Sequence, residues 1–257
     1  MKVGFCQFDI KHKDVEANLN TIKTMLMDVD ADLIVLPELA LTGYFFDNKE
    51  ELMALSTQDI NEKAFEQLRQ IALKKSMIII IGLAEIKGDK IYNTAFMIDA
   101  SGVVGKHRKI HLTDNESIFS AGHEIQVFEV AGVKVGMAIC FDAWFPELFR
   151  RFVDLGADII CCPANFGGPW TIDVVKVRAL ENVIPVILSN RTGYEYISGV
   201  KEYFCGNSMV VDGYGNPLIH VHDQPYVGIV DIDTKDYNRQ QSLICHKMVE
   251  EKEKYDN

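Results

Sequence analysis

Apolar positions along the chain fall into two periods. Val3 to Phe8 and Asp32 to Leu36 are short apolar runs with the length and β-branched content of buried strands. Between them Val15, Leu19, Ile22, Leu26 and Val29 recur at helical spacing, with Asp14 placed as an N-cap. Ile60 to Lys75 predicts a second amphipathic helix, with Phe65, Leu68, Ile71 and Ala72 on one face. Met77 to Leu83 is a very apolar strand. Lys90 to Asp99 alternates and turns at Ala100-Ser101-Gly102 into an antiparallel neighbour. Val133 to Ile139 is a buried strand, and Pro146 opens a helix soon after it. Asp158 to Cys162 predicts a strand ended by Pro163, Ile172 to Val183 a helix, and Pro185 to Ser189 a strand. Asn207 to Val211 and Leu218 to Val221 predict a hairpin around DGYGNP, and Val227 to Ile232 the last strand.

Buried runs alternate with helices, yet hairpin-like pairs interrupt them. This argues for an α/β protein with two sheets packed together and helices outside, rather than one doubly wound sheet. The chain has 257 residues, 48% of them hydrophobic, enough for a sizeable core. No repeat or linker divides it, so residues 1–257 read as a single domain with a charged tail, HKMVEEKEKYDN, from about 246. A formal net charge of −11 argues against a general nucleic-acid surface. No apolar run is long enough to span a bilayer, and the N-terminus enters a strand pattern directly. Six scattered cysteines form neither a zinc pattern nor a disulfide framework. A cytoplasmic protein with reduced thiols is expected.

Candidate chemistry begins at Cys140, in VKVGMAICFDAWFPELFRR, where an apolar strand ends just before a helix. Ligand crevices form at such strand ends. A lone cysteine there is a small core residue or a nucleophile, and a nucleophilic thiol needs a base or a nearby cation. Glu38 follows Pro37 at another strand end, flanked by Leu36 and Leu39. It is either a solvated turn acid or a carboxylate whose pKa burial raises toward a general base. Lys109, in GKHRKIHL, is either part of a solvated basic loop or a point charge for a developing oxyanion. His107, His111, His123, His220, His222 and His246 lie in polar or alternating segments, and none follows a buried strand as Glu38 does. His220 and His222 read as a surface pair, with no carboxylate near in sequence to complete a metal site. Cys161 and Cys162, neighbours in an apolar strand, read as core.

LPELALTGY, GKHRKIHL and GMAICFDAWFPE together resemble the nitrilase superfamily of carbon–nitrogen hydrolases, in order and approximate spacing. NESIFSAGHE, CCPANFGG, RALENVIPVILSNRTG and GNSMVVDGYGN extend the resemblance over nearly the whole chain apart from the tail. The resemblance implies a four-layer αββα sandwich and subunits that pair so that two sandwiches continue as one, a homodimer or higher homo-oligomer. It implies a Glu-Lys-Cys group at Glu38, Lys109 and Cys140, with Glu116 as a second glutamate holding Lys109 or positioning substrate. No metal or organic cofactor is implied.

Phe141-Asp142 after the cysteine resembles the amidase and carbamoyl-hydrolase branches more than nitrilases with Trp-Glu. The expected reaction is hydrolysis of a small amide through a thioester, releasing ammonia and a carboxylic acid. N-carbamoyl compounds and nitriles are the alternatives, and a non-catalytic metabolite- or partner-binding relative is a different class. The backbone N–H of Phe141 is expected to join Lys109 on the oxyanion. Candidate pocket residues are Tyr44, Phe45, Trp144, Asn165, Phe166 and Trp170. Arg150 or Arg151 is a weaker candidate for binding a substrate carboxylate. Arg178 and Glu181 read as a structural pair at i, i+3.

Overall fold

A computed structural model describes residues 1–197 and 199–237, with Lys247 and Glu251 besides. The tail expected from about 246 and His246 lie outside the described residues, apart from those two positions. In chain order the elements are β1 (Lys2–Gln7), α1 (Val15–Leu26), β2 (Leu33–Val35), α2 (Lys49–Leu55), α3 (Gln58–Lys75), β3 (Ile78–Lys87), β4 (Lys90–Asp99) and β5 (Gly102–Arg108). The second half holds β6 (Val127–Val130), β7 (Val133–Met137), α4 (Pro146–Asp154), β8 (Ile159–Ala164), α5 (Thr171–Asn182) and β9 (Val186–Asn190). It ends with β10 (Thr192–Ile197), β11 (Val200–Cys205), β12 (Met209–Val211), β13 (Pro217–His220) and β14 (Tyr226–Asp231).

Two six-stranded sheets run β14-β1-β2-β3-β4-β5 and β13-β12-β9-β8-β7-β6, and β10 pairs with β11 as a separate ribbon. Each sheet has the same plan. Three parallel strands, β1-β2-β3 or β7-β8-β9, are flanked by antiparallel partners. A central core joins the inner faces: Phe5, Val35 and Ile80 of one sheet pack with Met137, Ile160 and Ile187 of the other. Leu19, Ile22 and Leu26 of α1 and Leu68 and Ala72 of α3 cover one outer face. Phe149 and Phe152 of α4 and Val175 and Ala179 of α5 cover the other. The layers are therefore helix, sheet, sheet, helix, as expected from the alternation of buried runs and hairpins.

Local chemistry sets the boundaries. The Asp14 side chain accepts from Ala17 N at 3.0 Å and caps α1. Pro146 occupies the first turn of α4. The strand expected to end before Pro163 instead continues through it to Ala164. The ladder from β7 stops at Cys161, so Pro163 lies where its missing N–H costs no bond on that side. The pattern missed α2, β6 and the β10–β11 ribbon.

Candidate active site

The carboxyl ends of the parallel strands in both sheets converge on one edge of the sandwich. Glu38 follows β2, Cys140 follows β7, and Asn165 follows β8. Lys109 follows β5, where its backbone N–H donates to Asn93 O at 2.8 Å.

Glu38 is fully buried rather than a solvated turn acid. The chain turns sharply there, with Leu39 at φ 46°. Strand β3 presses against this turn at Gly82, where an added Cβ would lie 2.5 Å from Glu38 Cα. Only glycine leaves room for that approach. Glu38 Oε1 accepts from Asn93 Nδ2 at 2.6 Å and from Lys109 Nζ at 2.8 Å. Its Oε2 is buried without a hydrogen-bond partner among the described residues. Burial raises the Glu38 pKa, against the opposing pull of Lys109.

Lys109 is fully buried. Its Nζ lies 2.8 Å from both carboxylate oxygens of Glu116 as well as from Glu38. Burial opposes its charge, but the field of Glu38, the Cys140 sulfur and Glu116 outweighs burial and raises its pKa well above the ordinary value. Glu116 ends a short 3-10 turn, and its Oε2 accepts from Thr113 N and Oγ1 at 2.9 and 3.1 Å. Tyr44 OH lies 3.0 Å from the same Thr113 hydroxyl. Asn93, on β4, also donates to Glu116 Oε1 at 3.0 Å. The sequence reading did not single out Asn93. The available signal was an amide in the inward phase of an otherwise apolar alternation.

Cys140 begins a 3-10 turn, Cys140–Trp144, and stands at φ 47°. A non-glycine residue in this region is held there by its surroundings. Asp142 supplies much of that hold. Its Oδ2 accepts from Ile139 N at 3.0 Å, and its Oδ1 accepts from His111 N at 2.9 Å and meets His111 Nδ1 at 2.8 Å. His107 Nε2 is 3.5 Å from Oδ2. Burial opposes ionisation of Asp142, but His107 close by and the bonds from His111 outweigh it and hold the carboxyl below the usual range. The histidines read as lying in polar segments thus include two that brace the loop after Cys140. The Cys140 thiol is pushed well up, first by burial and then by Glu38, with Lys109 and the Asn165 backbone N–H pulling the other way.

Above Cys140 lies a cavity of about 230 Å³. Its walls include Tyr44, Phe45, Phe141, Trp144, Asn165 and Phe166, so the expected pocket residues other than Trp170 are brought together. Trp170 is 64% exposed at the start of α5 and does not line it. Arg150 donates to Glu181 O at 3.0 Å, and neither it nor Arg151 lines the cavity. Asn165 is buried, and neither polar atom of its amide has a partner among the described residues. Phe204 of β11 completes the aromatic wall, 6.1 Å from Phe45 between ring centres.

Two further buried charges were also missed. Arg191 pairs with Glu195, and donates to Ile10 O at 2.7 Å. Glu195 accepts from Tyr44 N at 3.0 Å and Phe45 N at 2.9 Å, which fixes the loop carrying both aromatics. Gly43, at φ 84°, lets that carboxylate approach, since a Cβ would lie 2.7 Å from Glu195 Oε1. Arg178 pairs with Glu181 as expected and also donates to Ala143 O at 2.9 Å, tying α5 to the turn after Cys140. Cys161 and Cys162 are fully buried core residues. His220 and His222 are exposed, with ring centres 4.9 Å apart.

The fold is that of the nitrilase superfamily. The NitN amidase structure superposes with a TM-score of 0.81 at 25% identity, covering 96% of this chain and 98% of that one. A further structure of the amidase from Nesterenkonia sp. AN1, a glutamate-to-glutamine mutant with acrylamide added at its active-site cysteine, has the same TM-score of 0.81, identity of 25% and coverage of 96% and 98%. The chain belongs to the carbon–nitrogen hydrolase family, whose profile matches residues 2–240. It is 32% identical over 239 residues to a nitrilase of Pyrococcus abyssi, covering 91% of this chain and 90% of the relative. It is 31% identical over 227 residues to the 2-oxoglutaramate amidase of Bacillus subtilis, covering 84% of each. The protein is an enzyme that hydrolyses carbon–nitrogen bonds. No helix among the described residues is long and apolar enough to cross a membrane.

Proposed function

We propose that this enzyme hydrolyses a small amide with Cys140 as nucleophile, Glu38 as general base and acid, and Lys109 as the fixed charge at the reacting oxygen. Glu38 takes the thiol proton, and the thiolate attacks the amide carbon. The carbonyl π electrons move to oxygen, and Lys109 Nζ with the Phe141 N–H stabilises the oxyanion. As the oxyanion collapses, Glu38 gives its proton to the leaving nitrogen and ammonia departs. A thioester remains on Cys140. Glu38 then takes a proton from water, whose oxygen attacks the thioester, and the acid and the free thiol are released. Glu116 holds Lys109 protonated and in place.

The observation that carries this reading is the division of labour within one carboxylate. Glu38 Oε1 is occupied by Asn93 and Lys109, while Oε2 is buried and unpartnered among the described residues. A base needs that oxygen, and burial raises its proton affinity toward the thiol's. The unpaired amide of Asn165 supports a substrate that both donates and accepts hydrogen bonds, as a primary amide does. Amidase relatives point the same way. Relatives called nitrilase and citrullinase keep nitriles and carbamoyl compounds as second choices.

The test is ammonia release from a panel of small amides, ω-amides, N-carbamoyl compounds and nitriles, run beside Cys140→Ala. Release from amides that falls at least about 10³-fold in the variant is expected. Release that survives the substitution, or a folded wild-type protein inactive on every amide, contradicts the proposal.

A further inference from the structure

The cavity over Cys140 carries a charge that hydrolysis itself does not use. Among the described residues that line it, Glu202 is the one ionised surface side chain, and no lysine, arginine or histidine is present. Glu202 sits on β11 directly opposite Glu195 on β10. Opposed residues of a ribbon share a face, and this face also carries Phe204, part of the cavity wall. Of the two acids, Glu195 is buried and paired with Arg191. Glu202 is exposed, and its carboxylate has no hydrogen bond or ion pair among the described residues. The neighbouring cation does not serve it: Lys201 lies on the ribbon's other face, with Nζ 3.7 Å from the ring centre of Tyr194.

The remaining walls suit a cation as well. Phe141 and Trp144 stand on the nucleophile's turn, and Phe45 and Phe204 line the same cavity. Aromatic faces with one carboxylate at the rim attract an ammonium group, by ring quadrupole and by ion pairing. A carboxylate at the same place would meet Glu202 with no compensating cation, a mismatch that rejects a ligand. Lys109, fully buried and not part of the cavity lining, is already shared by Glu38 and Glu116 and offers no surplus positive charge.

We infer that Glu202 makes this site selective for short amides whose far end carries a protonated amine, and against isosteric amides that end in a carboxylate. This narrows the substrate class of the amide-hydrolase reading and rests on it.

The test compares three matched sets. Cationic γ-aminobutyramide and δ-aminovaleramide are set against neutral valeramide and hexanamide, and against anionic succinamate and glutaramate. Ammonia release gives kcat and KM for the wild type and E202Q. The cationic amides are expected to exceed their neutral isosteres in kcat/KM by about three- to tenfold, through KM, with the anionic amides slowest. The preference shrinks as salt rises and is lost in E202Q. Calorimetry of the same compounds against Cys140→Ala reads the order without turnover. If no amide is hydrolysed, the amide-hydrolase reading fails, and calorimetry still decides the role of Glu202. Equal or absent binding of the cationic amides, preference for the anionic ones, or a cationic preference that survives E202Q overturns the inference.

Discussion

Lys109 Nζ lies 2.8 Å from Glu38 Oε1, with neither side chain exposed to solvent. A buried ion pair of this kind is weak evidence of stabilisation, because desolvation offsets much of the attraction. Its value here is positional. The bond occupies one oxygen of Glu38 and leaves the other without a hydrogen bond among the described residues, which the proposed mechanism uses for proton transfer, while Glu116 also pairs with the lysine.

Breaking that arrangement has two separable effects. Lys109→Met leaves Glu38 and Glu116 buried without their cation, and is expected to cost about 3–5 kcal/mol of stability as well as most activity. Glu116→Gln keeps Lys109 and Glu38 together. It is expected to lower kcat by about 10- to 100-fold with a smaller loss of stability. Denaturant melts beside steady-state kinetics separate the two. Equal stability of Lys109→Met and wild type would contradict the charge accounting.

The pH profile follows from the raised pKa of Glu38. In the proposed mechanism Glu38 works as a carboxylate, so protonation stops it. Activity therefore falls as pH drops through the folded-state pKa of Glu38, and the acid limb of kcat/KM lies above the ordinary glutamate value of about 4.3. An acid limb at or below that value, measured with a neutral amide, would count against Glu38 as the base.

Asp142 predicts a different pH signature. Its pKa is depressed in the folded state, so its contribution is fully present above the unfolded value of about 3.9 and is lost as pH falls through the folded value. Asp142→Asn is expected to lose about 2–4 kcal/mol near neutral pH, since it weakens bonds to a buried charge. The gap from wild type should narrow below about pH 4. Urea melts across that range give the comparison, and a gap that widens in acid contradicts the assignment.

Gly82→Ala probes the contact behind Glu38. The new methyl meets Glu38 Cα, which is backbone and cannot turn aside. About 1–3 kcal/mol of destabilisation is expected, with a fall in kcat larger than the change in KM. Wild-type kcat in this variant would show that Glu38 tolerates displacement.

Much of this was legible in the sequence, for reasons that differ by residue. The run from Val133 to Ile139 showed a buried strand stopping at Cys140, and apolar neighbours marked Glu38 as unusual. Whether Glu38 and Lys109 were buried or solvated was not legible, because both segments are short and only the family resemblance joined them. The β10–β11 ribbon escaped because polar and apolar side chains mix on both faces, giving no clean alternation. Helix α2 is too short for a periodic signal. Arg191 and Glu195 were not singled out, and the bracing of the turn by His107 and Asp142 was not anticipated, because partners such as Ile10, Tyr44 and His111 lie far along the chain. Arg191, for example, reaches the carbonyl of Ile10, 181 residues away. Burial of a charge is a property of packing, and no local pattern records it.

Alkylation of the cysteines tests the central claim most directly. Cys140 lines the cavity, whereas Cys6, Cys161 and Cys162 are fully buried in the core. The protein is treated with about one equivalent of iodoacetamide, the label is mapped by peptide mass spectrometry, and the remaining ammonia release is measured on the same samples. The account predicts one carbamidomethyl group on Cys140, loss of activity in proportion to it, and protection by substrate. Full activity with Cys140 alkylated, or inactivation that tracks Cys161, Cys162 or Cys205 instead, would contradict it.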